Sequence, residues 1–155
     1  MLSYQAYISQ LEGEKKVPEG KELIRPLPAF VAKTHKTTPT NDINKKEKIF
    51  LNVVQSPKIE PPTKTTSKEG TYWSVPYSLG PPHMEKDKNG DNVPCFDCCF
   101  NPEAIKISNV HREFKDLIVH TAMEGVEEAY KRQGQKVKVD KEFHTLKGTI
   151  STVPL

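Results

Sequence analysis

Between Lys48 and Asn101 the chain carries three strand-like segments in close succession. They are KIFLNVVQSP (Lys48–Pro57), YWSVPYSLGPPHMEKDKNG (Tyr72–Gly90) and VPCFDCCFNP (Val93–Pro102). Their β-branched and aromatic residues predict strands. The unbroken Ile49-Phe50-Leu51 and Val53-Val54 predict a strand buried on both faces. Lysines flank these runs, and no nucleophile–base pair or repeated metal-ligand motif accompanies them. The pattern points to a surface that grips an acidic partner, with no catalytic residue and no cofactor.

The remaining elements arrange themselves around this centre. Residues 1–16 have Tyr4, Tyr7, Ile8 and Leu11 spaced to share a helical face, which predicts a short amino-terminal helix. A first strand is expected at Ala29–Thr34, then a polar loop, HKTTPTNDINKKE, and a second strand at Lys48–Gln55. Ser56–Gly70, rich in proline, threonine and lysine, reads as a long surface loop. A third strand is expected at Tyr72–Leu79, where Trp73 and Tyr77 would share a face. Asn89-Gly90 suits a turn with positive φ, bringing Ser74–Leu79 and Val93–Phe100 into antiparallel reach.

Asn101-Pro102-Glu103 is the clearest helix start: a capping side chain, a proline for the first helical position and an acid at the positive dipole end. This short helix is expected to yield at Ser108-Asn109. A longer one is expected from Val110 to Gln133, with Val110, Phe114, Leu117, Ile118, Ala122, Val126 and Ala129 as its apolar stripe and Gly134 as its stop. Phe143–Val153 can add a last strand. The expected fold class is α+β: a mixed, twisted sheet of about four or five strands covered by one long helix and shorter helices. A helical extension over 1–23 would precede a domain over 24–155.

Composition narrows the function. The 155 residues are the size of one domain, and 35% hydrophobic content with 13 prolines implies sizeable polar loops. No stretch approaches the roughly 18–20 apolar residues of a membrane span, and the amino terminus lacks the features of a signal peptide. A soluble, cytoplasmic protein with no membrane partner is expected. The three cysteines, all within Cys95–Cys99, suit a reducing compartment. Cys95 and Cys98 form a Cys-x-x-Cys pair without a second pair of ligands, and on a strand residues three apart point to opposite faces; buried structural thiols are expected. Asp87–Asp91 lacks the spacing and terminal glutamate of a calcium loop. His111 and His120, nine apart, fall on opposite sides of a helix.

A net charge of +3 is too weak to indicate nucleic acid by itself. Yet residues 31–68 hold eight lysines (33, 36, 45, 46, 48, 58, 64 and 68) against Asp42, Glu47 and Glu60, a local +5. A solvated loop face is the plain reading of such a run. A few of these lysines can still serve anions: if the first two strands are antiparallel neighbours, Lys33 and Lys48 come to the same end of the sheet. Two converging ammonium groups can donate charge-assisted hydrogen bonds to a phosphoserine, on the order of 1.5–3 kcal/mol each. A nucleic-acid binder would interleave aromatics with these lysines, and between Lys33 and Lys68 there is only Phe50. A third possibility is a scaffold recognised through the exposed face of the long helix.

Taken in order, FVAKT (Phe30–Thr34), KIFLNVVQSP, WSVPYSLGPPHMEKDKNG (Trp73–Gly90), CFDCCFNPEAI (Cys95–Ile105), FKDLIVHTAMEGVEEAY (Phe114–Tyr130) and LKGTI (Leu146–Ile150) resemble the amino-terminal PIH domain. The blocks YWSVPYSLGP and AMEGVEEAY are most similar to the branch linked to cytoplasmic preassembly of axonemal dynein arms in cilium biogenesis. The resemblance implies a co-chaperone adaptor for the 90-kDa heat-shock chaperone machinery that recognises acidic, serine-phosphorylated peptide motifs of client or scaffold proteins, dynein heavy or intermediate chains among them. It assigns phosphopeptide contacts to Lys33 and Lys48. A third family lysine falls on Asn89, beside Lys88, and a basic residue near the carboxyl end falls near His144. The family usually continues into a β-sandwich of the CS type, so the chain is expected to be an excised domain.

Overall fold

Strand β2 (Asn44–Gln55) is the axis of the fold. Ile49, Leu51 and Val53 alternate along it with Phe50, Asn52 and Val54, and all six are almost fully buried, as the unbroken apolar run predicts. The computed structural model describes residues 26–39 and 44–146. The helix expected over 1–16, the extension over 1–23 and the tail beyond Leu146 lie outside the described residues.

β2 pairs antiparallel with β1 (Leu27–Pro39) and parallel with β7 (Asn92–Phe100). The short strands β5 (Ser78–Leu79) and β6 (His83–Lys86) both pair antiparallel with β7. On the far side, β8 (Lys138–Val139) and β9 (His144–Leu146) pair antiparallel with β1. Among the described residues the result is a mixed seven-stranded sheet, in which short strands add to the four or five expected. A separate two-stranded hairpin joins β3 (Thr63–Ser67) to β4 (Gly70–Ser74).

Three boundaries differ from expectation, each for a physical reason. β1 and β2 extend the ladder out to Pro39 opposite Asn44, so most of the polar loop expected between them is strand; its threonines suit a pleated ladder without an apolar alternation to announce it. Ser56–Gly70 is not one long loop, because Thr63–Ser67 pairs back on Gly70–Ser74. Every residue of that ribbon is exposed, so no buried face marks it in the sequence. The strand expected over Tyr72–Leu79 breaks between Ser74 and Ser78 around Pro76, which has no N–H to donate. Trp73 and Tyr77 therefore do not share a strand face. Trp73 meets the Phe114 ring edge-on at 5.0 Å, whereas Tyr77 lies against Phe100 at 6.0 Å.

The helices follow the predicted signals closely. Asn101 caps α1 (Pro102–Val110), its side-chain oxygen accepting from the Glu103 N–H at 2.8 Å while its amide donates to the Ile59 carbonyl at 2.7 Å. His111, in extended backbone, separates α1 from α2 (Arg112–Arg132). Gly134 ends α2 with φ of +79°, and the bonds Gly134 N–H to Lys131 O and Gln135 N–H to Tyr130 O form a Schellman closure. Of the expected stripe, Phe114, Ile118, Ala122 and Val126 are buried; Val110 belongs to α1 and stays 74% exposed.

α2 lays this stripe on one face of the sheet, against Ala32, Ile49, Leu51, Val53, Phe96, Cys98 and Phe100. Each fully buried large side chain here stabilises the fold by about 1.5–3 kcal/mol. The opposite face gathers Val31, Phe50, Val93 and Cys95, with Leu146 packed against them. Cys95 and Cys98 thus serve opposite faces, as the strand period requires. All three cysteines are buried and free, and burial raises each thiol, that of Cys99 to about 12.

Candidate peptide-binding groove

The register of β1 decides which lysines meet. Lys33 stands opposite Phe50 on one side and His144 on the other, and Lys48 stands opposite His35. Residues facing each other across a ladder, and residues two apart along a strand, lie on one face. Lys33, His35, Lys46, Lys48 and His144 therefore share a face. Lys33 and Lys48 are diagonal neighbours, roughly 7–8 Å apart by sheet geometry. They meet within the ladder, not at a strand end, because both strands are longer than expected.

These residues line a groove of about 820 Å³. Its second wall is the segment from Asp140 to Leu146, and its third is α2 with Arg112, Asp116 and His120. Several bonds fix the segment. The Thr34 hydroxyl, buried in β1, lies 2.9 Å from the Asp140 carbonyl and 2.8 Å from that of Glu142. The Asp140 N–H donates to the His35 carbonyl at 2.8 Å, and His120 Nε2 meets the Lys141 carbonyl at 2.9 Å. Phe143 lies under the Arg112 guanidinium and against the His120 ring.

Five cationic side chains (Lys33, Lys46, Lys48, Arg112 and Lys141) face three carboxylates (Asp116, Asp140 and Glu142) around the groove. Arg112 is engaged with Asp116 at 3.1 Å. Lys48 donates to Asp87 Oδ2 at 2.9 Å and remains about a third exposed. His35 is held below its ordinary value by burial first and then by the Lys46 charge; Asp140 opposes this, and Lys33 and Lys48 add to it. A neutral imidazole among lysines leaves room for an incoming anion to be the group that balances the charge. A neighbouring depression of about 1,210 Å³ is larger and also carries five lysines, but Glu124, Glu127, Glu128 and Asp140 line it too, leaving it less net positive charge than the groove.

The other predicted site residues are placed differently. Lys88 and Asn89 occupy the exposed turn after β6, outside the groove lining. The Asn89 and Asp91 N–H groups both donate to Asp87 Oδ1 at 2.9 Å, and Gly90 takes φ of +81°. Through Asp87 this turn is tied to Lys48. The Lys33–Lys68 run is not one patch: Lys36 points to the helix face over the Tyr130 ring, and Lys64 lies over Trp73. His35 and Lys46 were missed, although each lies two residues from a predicted lysine; continuing the alternation along β1 and β2 would have found them. Arg112, His120 and Lys141 come from elements that only the tertiary fold brings near.

Comparison with known proteins agrees with this architecture. The family model of the PIH1 N-terminal domain matches residues 2–154. The chain is 32% identical over 134 residues to protein kintoun of Drosophila virilis, and 29% identical over 133 residues to that of Rattus norvegicus. These matches cover 83% and 82% of this chain but only 14% and 15% of those proteins. The solved N-terminal domain of yeast PIH1p superposes with a TM-score of 0.61 at 22% identity, over 84% of this chain and 88% of that one. The α+β fold and the sequence match together place this chain in the PIH1 N-terminal domain family.

Proposed function

We propose that this domain is the recognition module of a co-chaperone, holding an acidic, serine-phosphorylated segment of a client or scaffold protein in the groove between β1, α2 and residues 140–146. The observation that carries this reading is the shared face of Lys33, Lys46, Lys48 and His144. A phosphoserine with about two negative charges and three acceptor oxygens fits between Lys33 and Lys48. Flanking aspartates or glutamates of the peptide would meet Lys46 and Lys141. Lys88, in the exposed turn outside the groove, would meet a longer acidic segment. Among the described residues, nothing in the groove pairs a nucleophile with a base, so the reading is binding without chemistry.

Family membership supports the wider role: an adaptor that brings such clients to the 90-kDa heat-shock chaperone machinery during cytoplasmic preassembly of axonemal dynein. Calorimetric titration with an acidic serine peptide, phosphorylated and unmodified, at two salt concentrations tests the groove. Phosphate-dependent, salt-sensitive binding that is lost in Lys48→Glu and weakened in Lys33→Ala is expected. Equal binding of both peptides, or binding untouched by Lys48→Glu in a folded domain, would remove the groove from recognition. Co-purification of dynein heavy or intermediate chains with the wild-type domain, and their loss with Lys48→Glu, tests the client class.

A further inference from the structure

The turn at Asp87–Asp91 folds β6 back on β7 so that His83 stands opposite Cys95 and Glu85 opposite Val93. Asp97 follows Cys95 by two residues and so shares its face. One donor atom from each of His83, Cys95 and Asp97 lies within 4.8 Å of the other two. Two donors bound tetrahedrally at about 2.0 and 2.3 Å would be roughly 3.5 Å apart, so a contraction of up to about 1.3 Å would close the set on an ion. All three residues are buried, His83 and Cys95 completely.

The hydrogen bonds around the cluster are incomplete in a way that points to a cation. Asp97 Oδ1 takes the Asn52 amide at 2.9 Å and faces His83 Nε2 at 3.1 Å. Among the described residues, the buried Asp97 Oδ2 and Asn52 Oδ1 have no hydrogen-bond partner. A buried acceptor left unmatched is destabilising. On the other side of the ring, Glu85 Oε1 lies 2.7 Å from His83 Nδ1. A carboxylate that holds Nδ1–H fixes the tautomer and turns the Nε2 lone pair toward the cluster, as carboxylates do behind metal-bound histidines. With one proton on the ring, that lone pair would confront a carboxylate oxygen. A second ring proton would satisfy Asp97 Oδ1 but leave Oδ2 without a partner, whereas a cation held by both groups can take up the carboxylate.

We propose that His83, Cys95 and Asp97 form a buried structural site for one divalent cation of the zinc class, with Glu85 orienting His83. The mixed nitrogen, sulfur and oxygen set suits zinc over magnesium or calcium, which take oxygen ligands. Binding exchanges the Cys95 thiol proton for the metal and releases it to solvent. The ion would staple β6 to β7 across the hairpin. It would lie on the sheet's second face, which also carries Lys33 and Lys48 beside Phe50, but none of its three donors lines the peptide groove.

The test is to refold the chain with Co²⁺ and read its absorption. One equivalent bound, with tetrahedral visible bands and a thiolate-to-cobalt charge-transfer band displaced by Zn²⁺, is expected. The double variant Cys98→Ala/Cys99→Ala should keep the charge-transfer band, and Cys95→Ser should lose it. The double variant assigns the sulfur even where Cys95→Ser does not fold. Absence of the band in wild-type protein, with no stoichiometric zinc and a melting temperature indifferent to chelator, would overturn the site; His83 would then carry a second proton between Asp97 and Glu85. A band that survives Cys95→Ser would overturn it equally.

Discussion

The Lys48 ammonium and the Asp87 carboxylate meet at 2.9 Å, joining the centre of the proposed groove to the tip of the neighbouring hairpin. Asp87 uses its other oxygen to accept the Asn89 and Asp91 N–H groups. Its carboxyl is held below the ordinary value, first by Lys48 and then by the Asp91 N–H. One side chain thus shapes the turn and occupies the lysine that an anion would need.

Replacing Asp87 by asparagine separates these roles. The amide side chain would keep an oxygen for the turn N–H groups and give up the charge on Lys48. Asp87→Asn is expected to tighten binding of the phosphorylated acidic peptide a few-fold, with little change in melting temperature. Calorimetry on both proteins checks this, and weaker binding would show that Asp87 positions Lys48 for the ligand.

His35 makes stability depend on pH. Its folded value lies below 6.5, so the unfolded chain takes up the proton more readily. The stability contribution is whole above pH 6.5 and is lost as pH falls through the lower folded value. His35→Gln should therefore lose less stability than wild type between pH 7.5 and 5.5. Urea midpoints at the two pH values measure the difference.

Gly125 of α2 faces Tyr77. A Cβ there would stand 2.5 Å from the Tyr77 hydroxyl and 2.9 Å from Cε2, forcing the ring from its place on Phe100. Gly125→Ala is expected to destabilise the domain, because the lost ring contact and burial outweigh the gain of about 1 kcal/mol in helix propensity. In a Tyr77→Ala background the same substitution should become stabilising by about 1 kcal/mol. A double-mutant cycle by denaturant unfolding reads the change of sign.

Asn101 bonds in two directions, to the start of α1 and to the loop carbonyl of Ile59. Asn101→Ala loses both and should cost about 1–3 kcal/mol. Asn101→Asp retains the capping oxygen and should recover about 1 kcal/mol of that loss. Equal unfolding midpoints for the two variants would mean the cap contributes nothing.

How much of this was readable in the sequence depends on where a residue's partners lie. Ile49–Val54, the Asn101 cap and the stripe from Phe114 to Val126 are written in local pattern, and each was placed within a few residues. In the β3–β4 ribbon only Tyr72–Ser74 fell within an expected strand; Thr63–Ser67 carries no apolar alternation, because neither face of the ribbon is buried, and read as loop. Lys33 and Lys48 could be paired from strand order alone. His35 and Lys46 escaped because the strands were ended too early, and Arg112, His120 and Lys141 because helix and tail approach the sheet only in three dimensions. The His83–Cys95 pairing was latent in the turn: a hairpin centred on Asn89 sets 83 opposite 95.

The β3–β4 ribbon also has a consequence for motion. A two-stranded hairpin is marginal by itself in water, and this one meets the helices through the edge of Trp73 on Phe114. Its amide protons should exchange through local openings far less costly than unfolding the sheet. Trypsin would find Lys64 and Lys68 during those openings, nicking the chain while β1, β2 and β7 remain paired.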